Sequence, residues 1–203
     1  MDFADIDAGI DSVLHEDFVK DEVLQILKYN RTHVDFVSDI NEYPFTCPLD
    51  LHCQYNTNQI MAAFGYFTEI VSPEFREGVK YFDDKLTDIF LINLNKSEKD
   101  FSPSTMYEDY AINAHLFHWE SQSQDREAST KIQRYIHHKE TGNHVSLFVR
   151  EYKRNGAYTV PYTFLGDADY VSHENERPVS FVWRLHAPIP ADLLPKANKS
   201  IAM

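Results

Sequence analysis

Glycine is scarce in this sequence, and so are the motifs that depend on it. Only 6 of the 203 residues are glycine, and none belongs to a Walker phosphate loop, a Gly-x-Gly-x-x-Gly fingerprint or a Gly-x-Ser-x-Gly elbow. Those motifs need glycine because the backbone must turn sharply or approach a phosphate closely. Their absence excludes P-loop ATPases, enzymes with the dinucleotide fingerprint and serine hydrolases that use the elbow.

Cysteines and long apolar runs are also few. The two cysteines, Cys47 and Cys53, do not make a disulfide framework. The longest uninterrupted apolar stretches are short, such as residues 89–92, and fall far below the roughly 20 residues of a membrane-spanning helix. The first twenty residues carry acids where an export signal carries bases. We therefore expect a cytoplasmic protein with no membrane partner.

Positive charge is in deficit, because 19 Lys and Arg residues face 32 Asp and Glu residues, for a net charge of −13. This balance argues against indiscriminate binding to nucleic acid. The deficit is concentrated in residues 1–50, which hold 12 acids and 3 bases. Between residues 126 and 154 the sign reverses, which predicts one basic face on an acidic protein. The bases in that window are Arg126, Lys131, Arg134, Lys139, Arg150, Lys153 and Arg154.

Apolar and aromatic residues are plentiful, at 43% and 14% of the chain, which is enough for a folded core. Apolar residues recur at helical spacing between 18 and 27, and a second short helix is expected over 32–40. A third helix is predicted after an N-cap at Asn56 or Thr57, with Gly65 as its stop. The amino-terminal part of the chain is therefore expected to be helical.

From Gly78 onward the pattern is typical of strands. Residues 79–82 and 88–94 predict a hairpin whose second arm is half-buried. Further strands are expected at 116–120, 145–150, 164–165, 170–171 and 179–185, with a helix over 131–138 capped by Ser129 or Thr130, and fraying after Pro195. We predict an α+β fold in which a helical segment precedes a curved sheet or partly closed barrel. The expected divisions are an acidic helical segment at 1–50, a sheet domain at 51–190 and a tail at 191–203.

Two patterns raise the question of metal chemistry. Glu151 and Lys153 at a strand end are typical of Mg²⁺-dependent nucleases, which would need Asp109 or Glu120 as a second carboxylate. The same residues also fit a strand end with solvated charges. The histidine and cysteine spacings, including those of His137, His138 and His144, do not fit a zinc site. We therefore expect no metal and no cofactor.

The segment from residue 102 to residue 124 mixes aromatic rings with hydroxyls, amides and a carboxylate. A pocket for a flat hydrogen-bonding ligand such as a nucleobase needs both, because rings stack on its face while polar groups contact its edge. A buried strand whose polar side chains satisfy neighbouring backbone groups would contain the same residue types. The residues are Tyr107, Asp109, Tyr110, Phe117, Trp119, Ser121 and Gln122.

Several motifs carry a family resemblance. They are Leu-His-Cys-Gln-Tyr-Asn at 51–56, Ser-Pro-Ser-Thr-Met-Tyr-Glu-Asp-Tyr at 102–110, Phe-His-Trp-Glu-Ser-Gln at 117–122, Leu-Phe-Val-Arg-Glu at 147–151 and Phe-Leu-Gly at 164–166. Over residues 50–190 the chain resembles the domain of unknown function found at the carboxy terminus of bacterial superfamily-two helicases. In type IV restriction enzymes of that architecture, this domain is the target-recognition part. It is similar to SRA and PUA-like domains, which bind a modified cytosine by flipping it out.

The resemblance implies recognition only, because the helicase and nuclease parts are missing from this chain. The chain has Gln54 where such domains usually carry Arg, and Glu120 where they carry Gln. Either change would weaken contacts to phosphate if the position faces DNA.

The resulting hypothesis is a non-enzymatic reader of double-stranded DNA that carries a modified cytosine, first of all 5-methylcytosine. The base pocket would be formed by Tyr107, Asp109, Tyr110, Phe117, Trp119, Ser121 and Gln122, with Asp109 accepting the exocyclic amine. The DNA backbone would be held by His52, Tyr55, Arg126, Lys131, Arg134, Arg150, Lys153 and Arg154. Two alternatives stay open: a module that docks on a helicase or nuclease partner through residues 1–50, and a small Mg²⁺ nuclease that uses Glu151 and Lys153.

Overall fold

The structure is a computed structural model, and it describes residues 6–33, 43, 45–67, 75, 77–95 and 109–198. The chain forms two compact units, Met1–Phe36 with Phe67–Pro73, and Val37–Tyr66 with Glu74–Met203. The first unit contains the helices α1 (Ile6–Leu14) and α2 (Asp17–His33). α2 confirms the helix predicted over 18–27. The helix predicted over 32–40 lies outside the described residues, apart from the last two residues of α2.

The second unit is built on a large mixed β-sheet. Its elements are β1 (Gln54–Tyr55), α3 (Thr57–Ala63), β2 (Val79–Phe82), a 3₁₀ turn (Asp83–Lys85), β3 (Thr87–Asn95), β4 (Tyr110–Ala111), β5 (Leu116–Glu120), α4 (Thr130–Ile136), β6 (His144–Tyr152), β7 (Arg154–Asn155), β8 (Tyr158–Thr159), β9 (Tyr162–Glu174), β10 (Ser180–Leu185) and α5 (Leu194–Ala197). None of the described helices combines the length and the apolar composition that a membrane-spanning helix needs.

The strand order is β2-β3-β6-β9-β10-β5-β4, with β1 beside the start of β9. β3 and β6 run parallel, while the other described pairs are antiparallel. β7 and β8 form a separate two-stranded hairpin. The sheet does not close on itself in the part of the chain that the structure describes. Helices with a large mixed sheet agree with the predicted α+β class, and a curved sheet is compatible with this order.

The core lies on both faces of the sheet, and this corrects the prediction that β3 is half-buried. Residues 87–93 of β3 are all buried. Phe90 belongs to the cluster formed with Ile132 and Tyr135 of α4. On the other face, Phe64 at the end of α3 contacts Phe148 of β6. A strand covered on both sides carries a continuous apolar run instead of an alternating one, as buried parallel strands do.

The local capping signals were predicted correctly. Asn56 caps α3 through a capping box with Gln59, and Gly65 follows the helix with φ +72°. Ser129, one of the two candidates, caps α4 by accepting a hydrogen bond from the Ile132 amide. These features depend on neighbours three or four residues away, so the sequence alone is sufficient to place them.

The carboxy-terminal strands differ from the prediction. The short strands expected at 164–165 and 170–171 are one 13-residue strand, β9. Its pairing slips twice, opposite Leu147/Phe148 and opposite Val182/Trp183, as β-bulges do. These shifts interrupt the alternation of buried and exposed residues by which a strand is recognised in a sequence. The expected fraying after Pro195 was also wrong through residue 198, because Ala197 is buried and Asn198 bridges to Ala111.

The first bulge requires a glycine, because Gly166 has φ +81° beside the slipped pair. A Cβ is disfavoured by about 1–2 kcal/mol in the left-handed region. We expect Gly166→Ala to lower the free energy of unfolding by that amount in chemical denaturation. Gly78→Ala is the control, since a Cβ there would meet only Leu91 O at an ordinary 3.7 Å. Equal losses for the two variants would contradict this account of the bulge.

Candidate functional site

The aromatic residues predicted to form the base pocket are mostly part of the core. Trp119 is 5% exposed and stacks on Phe90 with ring centroids 4.2 Å apart. Phe117 is fully buried in the same cluster. Tyr110 is partly exposed and stacks on His118 at 4.5 Å. Tyr107 lies outside the described residues. Because Phe117 and Trp119 are held by core packing, a base could stack on them only if the core opened.

Two of the polar residues from the same prediction support the backbone. Asp109 accepts a hydrogen bond from the Glu120 amide at 3.0 Å. Ser121 donates its amide to the Val179 carbonyl, and its Oγ accepts the Val179 amide at 2.9 Å. Gln122 accepts a hydrogen bond from Lys131 Nζ at 2.9 Å. Asp109 and Ser121 therefore make the contacts expected for a buried strand, in which polar side chains satisfy neighbouring backbone groups, and not those expected for a base pocket.

Three of the predicted DNA-backbone cations are engaged inside the protein. Lys131 Nζ lies 2.6 Å from the Asp125 carboxylate. Arg134 donates two hydrogen bonds to Asp88, at 2.7 and 2.8 Å, and its guanidinium lies 3.8 Å from the centre of the Tyr81 ring. Burial raises the pKa of Asp88 even though Arg134 counteracts it. A sequence shows that these residues are positive, but not that they have partners 6 or 46 positions away.

Arg150 is the third of these cations, and it is almost fully buried. Its Nε donates to Asn93 Oδ1 at 2.6 Å and its Nη1 donates to the Val160 carbonyl at 2.8 Å. The guanidinium also lies 4.1 Å from the centre of the Tyr162 ring. Arg150 therefore ties β6 to β3 and to the chain that enters β9.

The remaining basic residues of the window include a pair on the hairpin formed by β7 and β8. We call residues 152–159 the basic hairpin. It contains Lys153 and Arg154, no acid, and two exposed tyrosines, Tyr152 (50% exposed) and Tyr158 (81% exposed). Gly156 turns the tip with φ +61°, and the Val160 amide bonds to the Lys153 carbonyl at the base. The basic hairpin thus combines cations with exposed aromatic rings.

The other predicted backbone contacts are dispersed. Arg126 is exposed on the loop before α4. Tyr55 of β1 pairs with Tyr162 at the start of β9. The basic hairpin comes before β9 in the chain. The Tyr55 hydroxyl accepts the Asp50 amide, and burial raises the pKa of Tyr55 to about 12. His52 adopts φ +65° and donates its amide to the Phe164 carbonyl.

A cavity of about 220 Å³ lies near the opposite end of β6. We call it the histidine pocket. It receives residues from the α4–β6 connection, from β9 and from the chain after β10. The polar residues that matter for its chemistry are His138, Lys139, His144, Asp167, Asp169 and His186. None of them was among the predicted site residues.

Asp167 is the most heavily hydrogen-bonded group of the histidine pocket. Its Oδ2 accepts His144 Nδ1 at 2.8 Å, and its Oδ1 accepts the Tyr43 hydroxyl at 2.6 Å and Ser146 Oγ at 2.7 Å. Burial first, and then the Asp167 charge, raise the pKa of Tyr43 well above its usual value. Tyr43 therefore stays protonated and holds the carboxylate in place.

Asp169 and His138 complete the lining. Asp169 contacts Lys139 Nζ at 2.7 Å and His186 Nε2 at 3.1 Å. Burial alone would raise the pKa of Asp169, but these two donors outweigh it and lower the pKa. His138 Nε2 accepts the Tyr170 amide, so its Nδ1 donates to the Asn143 carbonyl. Burial lowers the pKa of His138, which is consistent with this neutral tautomer.

The signal that sequence analysis missed is an Asp-x-Asp pair within an apolar strand. Residues two apart on a strand share one face, so Asp167 and Asp169 had to lie together. His138 and His144 were considered only as zinc ligands. Among the described residues, no group of three or more His, Cys, Asp or Glu side chains is placed to hold a metal ion.

The proposed Mg²⁺ nuclease residues are not brought together. Glu151 is on β6, whereas Asp109 and Glu120 lie beside or on β5, three strands away in the sheet. At about 4.8 Å per strand this separation is about 14 Å, far beyond the span of one Mg²⁺ coordination sphere. Glu151 instead lies 4.0 Å from Lys196.

Arg134 and Arg126 allow a direct test of which cations are structural. We expect Arg134→Ala to lower the free energy of unfolding by about 3 kcal/mol, because it leaves the buried Asp88 carboxylate without its partner. Arg126→Ala should change it by less than about 0.5 kcal/mol, because the side chain is exposed. Denaturant titration of both variants measures the difference. A stable Arg134→Ala protein would show that the pair is dispensable.

Comparison with protein families adds one assignment. The domain of unknown function DUF3427 matches residues 49–196, close to three quarters of the chain. This match contains the whole of the described sheet, the basic hairpin and the whole lining of the histidine pocket. A search of curated proteins finds no match to the chain. The chain therefore belongs to the family of the domain of unknown function DUF3427.

Proposed function

We propose that this domain binds double-stranded DNA and recognises a modified cytosine, with 5-methylcytosine as the first candidate. The proposal treats it as an SRA-like or PUA-like reader in a restriction or defence system, as the motif resemblance implies. The observation that carries the proposal is the basic hairpin, where Lys153 and Arg154 lie beside two exposed tyrosines. Cations that meet phosphates and rings that meet bases are the two components of such an interface.

The charge distribution limits how the protein can hold DNA. Its net charge is −13, so a duplex is repelled by much of the surface. Lys131, Arg134 and Arg150 are committed to internal partners. We expect binding to rest on a few phosphate contacts near the basic hairpin. Two such contacts would make the logarithm of the DNA association constant fall with the logarithm of the salt concentration with a slope of about −2.

Base flipping is energetically feasible, because its cost is similar to the gain from stacking. Extruding a base costs a few kcal/mol, and each stacked aromatic ring returns about 1–3 kcal/mol. The methyl group itself adds only about 0.8 kcal/mol by transfer from water. Discrimination between methylated and plain cytosine is therefore expected to be several-fold, unless the pocket fits the methyl closely.

A second candidate function rests on α2. Several of its apolar side chains are exposed, including Phe18 (75% exposed), Ile26 (58%) and Leu27 (57%). Exposed apolar residues on a helix are typical of a surface that docks on another protein. This second candidate is the module that docks on a helicase or nuclease partner through residues 1–50. It predicts a stable complex with that partner and no DNA binding at physiological salt.

Charge reversal tests the basic hairpin. We expect the double variant Lys153→Glu/Arg154→Glu to weaken binding to methylated and plain duplexes by the same factor, roughly tenfold or more at about 0.1 M salt. The salt slope should become shallower by about 2. Fluorescence anisotropy with duplexes that carry cytosine, 5-methylcytosine or 5-hydroxymethylcytosine measures both. Arg184→Glu, an exposed arginine on β10, is the matched control.

Three outcomes of that titration differ in meaning. A several-fold preference for a modified duplex supports the reader. Strong, salt-dependent and equal binding to all three duplexes contradicts recognition of the modification. Absence of binding at low salt contradicts the whole proposal and favours the docking module.

Tyr158 tests the aromatic contribution. Since the side chain is 81% exposed, Tyr158→Ala should leave stability within about 0.5 kcal/mol of the parent. Loss of one stacking contact should weaken DNA binding by about 5- to 150-fold, which corresponds to 1–3 kcal/mol. The control is Tyr29→Ala on α2, another exposed tyrosine. Equal effects of the two variants on DNA affinity would contradict a specific contact by the hairpin.

A further inference from the structure

We propose that the histidine pocket binds one uncharged nitrogen heterocycle with an exocyclic amine beside ring acceptors, as in cytosine. Under the proposed function, on which this assignment rests, that heterocycle is the base extruded from DNA. The assignment moves the base site away from the aromatic residues of β5. It follows from the charges, the hydrogen-bonding groups and the size of the cavity.

The charges of the lining disfavour simple ions. The lining holds two carboxylates, Asp167 and Asp169, against one lysine, Lys139, and this excess of acid would repel an anion such as a free phosphate. A cation meets carboxylates that already hold His144, Lys139 and His186 within 3.1 Å. The described residues also form no metal-binding group. A neutral polar ligand satisfies the lining without leaving a charge unpaired.

The polar groups that line the cavity include one acceptor and one donor with hydrogens to spare. The Asp169 carboxylate is the acceptor, and Lys139, which contacts it, has further N–H groups for a ligand, whereas His186 directs its Nε2 at Asp169. Cytosine offers the complementary set, because its N4 amine donates while N3 and O2 accept. Thymine carries the O4 acceptor where cytosine carries its N4 amine, and its one edge donor, the N3–H, lies between two carbonyl acceptors, so with the amine position against Asp169 it would place an acceptor against the carboxylate. The lining therefore favours cytosine over thymine.

The rest of the lining is suited to a ring. His138 is buried and fixed in its neutral tautomer by two backbone groups, so it adds no competing charge beside the cavity. The cavity of about 220 Å³ is smaller than the roughly 300–1,000 Å³ pockets of drug-sized ligands. This volume matches a single ring better than a whole nucleotide.

The position of the pocket is compatible with a duplex held at the basic hairpin. β6 begins at His144 in the pocket lining and ends at Tyr152 in the hairpin. Nine residues of strand span about 27 Å. This length is less than one helical turn of DNA, about 34 Å. One duplex can therefore contact the hairpin and present a base to the pocket.

The test uses the full chain and free nucleosides. Deoxycytidine, 5-methyldeoxycytidine and thymidine are titrated to millimolar concentration while histidine ¹⁵N side-chain resonances are recorded by NMR. We expect both cytosine nucleosides to shift the resonances of His186 and His144, with thymidine at least fivefold weaker. Absence of shifts for every nucleoside, or equal shifts for thymidine, would overturn the assignment.

Two variants and one control localise the site. Asp169→Asn removes the acceptor charge, and His186→Ala removes a side chain that is 58% exposed and therefore tolerant of truncation. Each should weaken deoxycytidine binding at least threefold and reduce the preference for a methylated duplex. His137→Ala is the matched control, since His137 also pairs with a carboxylate, Glu140, but does not line the cavity. A control variant that weakens binding as much as His186→Ala would overturn the localisation.

Failure of this assignment is distinguishable from failure of the proposed function. If a modified duplex binds preferentially and both pocket variants leave the preference unchanged, the base site lies elsewhere and the reader proposal stands. If deoxycytidine binds in the pocket but no duplex binds at low salt, the pocket assignment stands and DNA recognition is overturned. If neither binds, both are overturned.

Discussion

The parallel pairing of β3 with β6 is the constraint on which the second unit depends. Two parallel neighbours need a crossover connection, and here that crossover contains α4. α4 covers one face of the pair with Ile132 and Tyr135, while Phe64 covers the other face. The return from α4 to β6 then carries His138 and Lys139 to the amino end of β6. The histidine pocket is thus a consequence of how the crossover rejoins the sheet.

Charged and polar groups inside this sheet determine which cations are buried within the protein. A charge removed from water is tolerated only when it is paired and hydrogen-bonded. Arg134 therefore pairs with Asp88, and Arg150 donates hydrogen bonds to Asn93 and to the Val160 carbonyl. These pairs hold α4 against β3 and β6 against β3. The basic window of the sequence therefore contributes fewer cations to the surface than its composition indicates.

The accuracy of the sequence predictions follows the range of the interactions involved. The N-cap Asn56, the stop at Gly65 and the hairpin of β2 with β3 were predicted, because each depends on residues close in sequence. β9 was divided in two because bulges shift its alternation. The aromatic segment was ambiguous from residue types, since a base pocket and a core strand use the same side chains. Arg134 and Asp88 are 46 positions apart, so only the fold brings them together.

Separation of the two candidate surfaces has a consequence for how recognition would be divided. The basic hairpin and the histidine pocket lie at opposite ends of β6, about 27 Å apart, which exceeds several Debye lengths at physiological salt. Substitutions at sites that far apart, with no residue in contact with both, change the free energy additively. Phosphate contacts at one end would therefore set affinity and its salt dependence. Hydrogen bonds to the base at the other end would set selectivity, and a protein with a net charge of −13 would keep non-specific affinity low enough for that selectivity to matter.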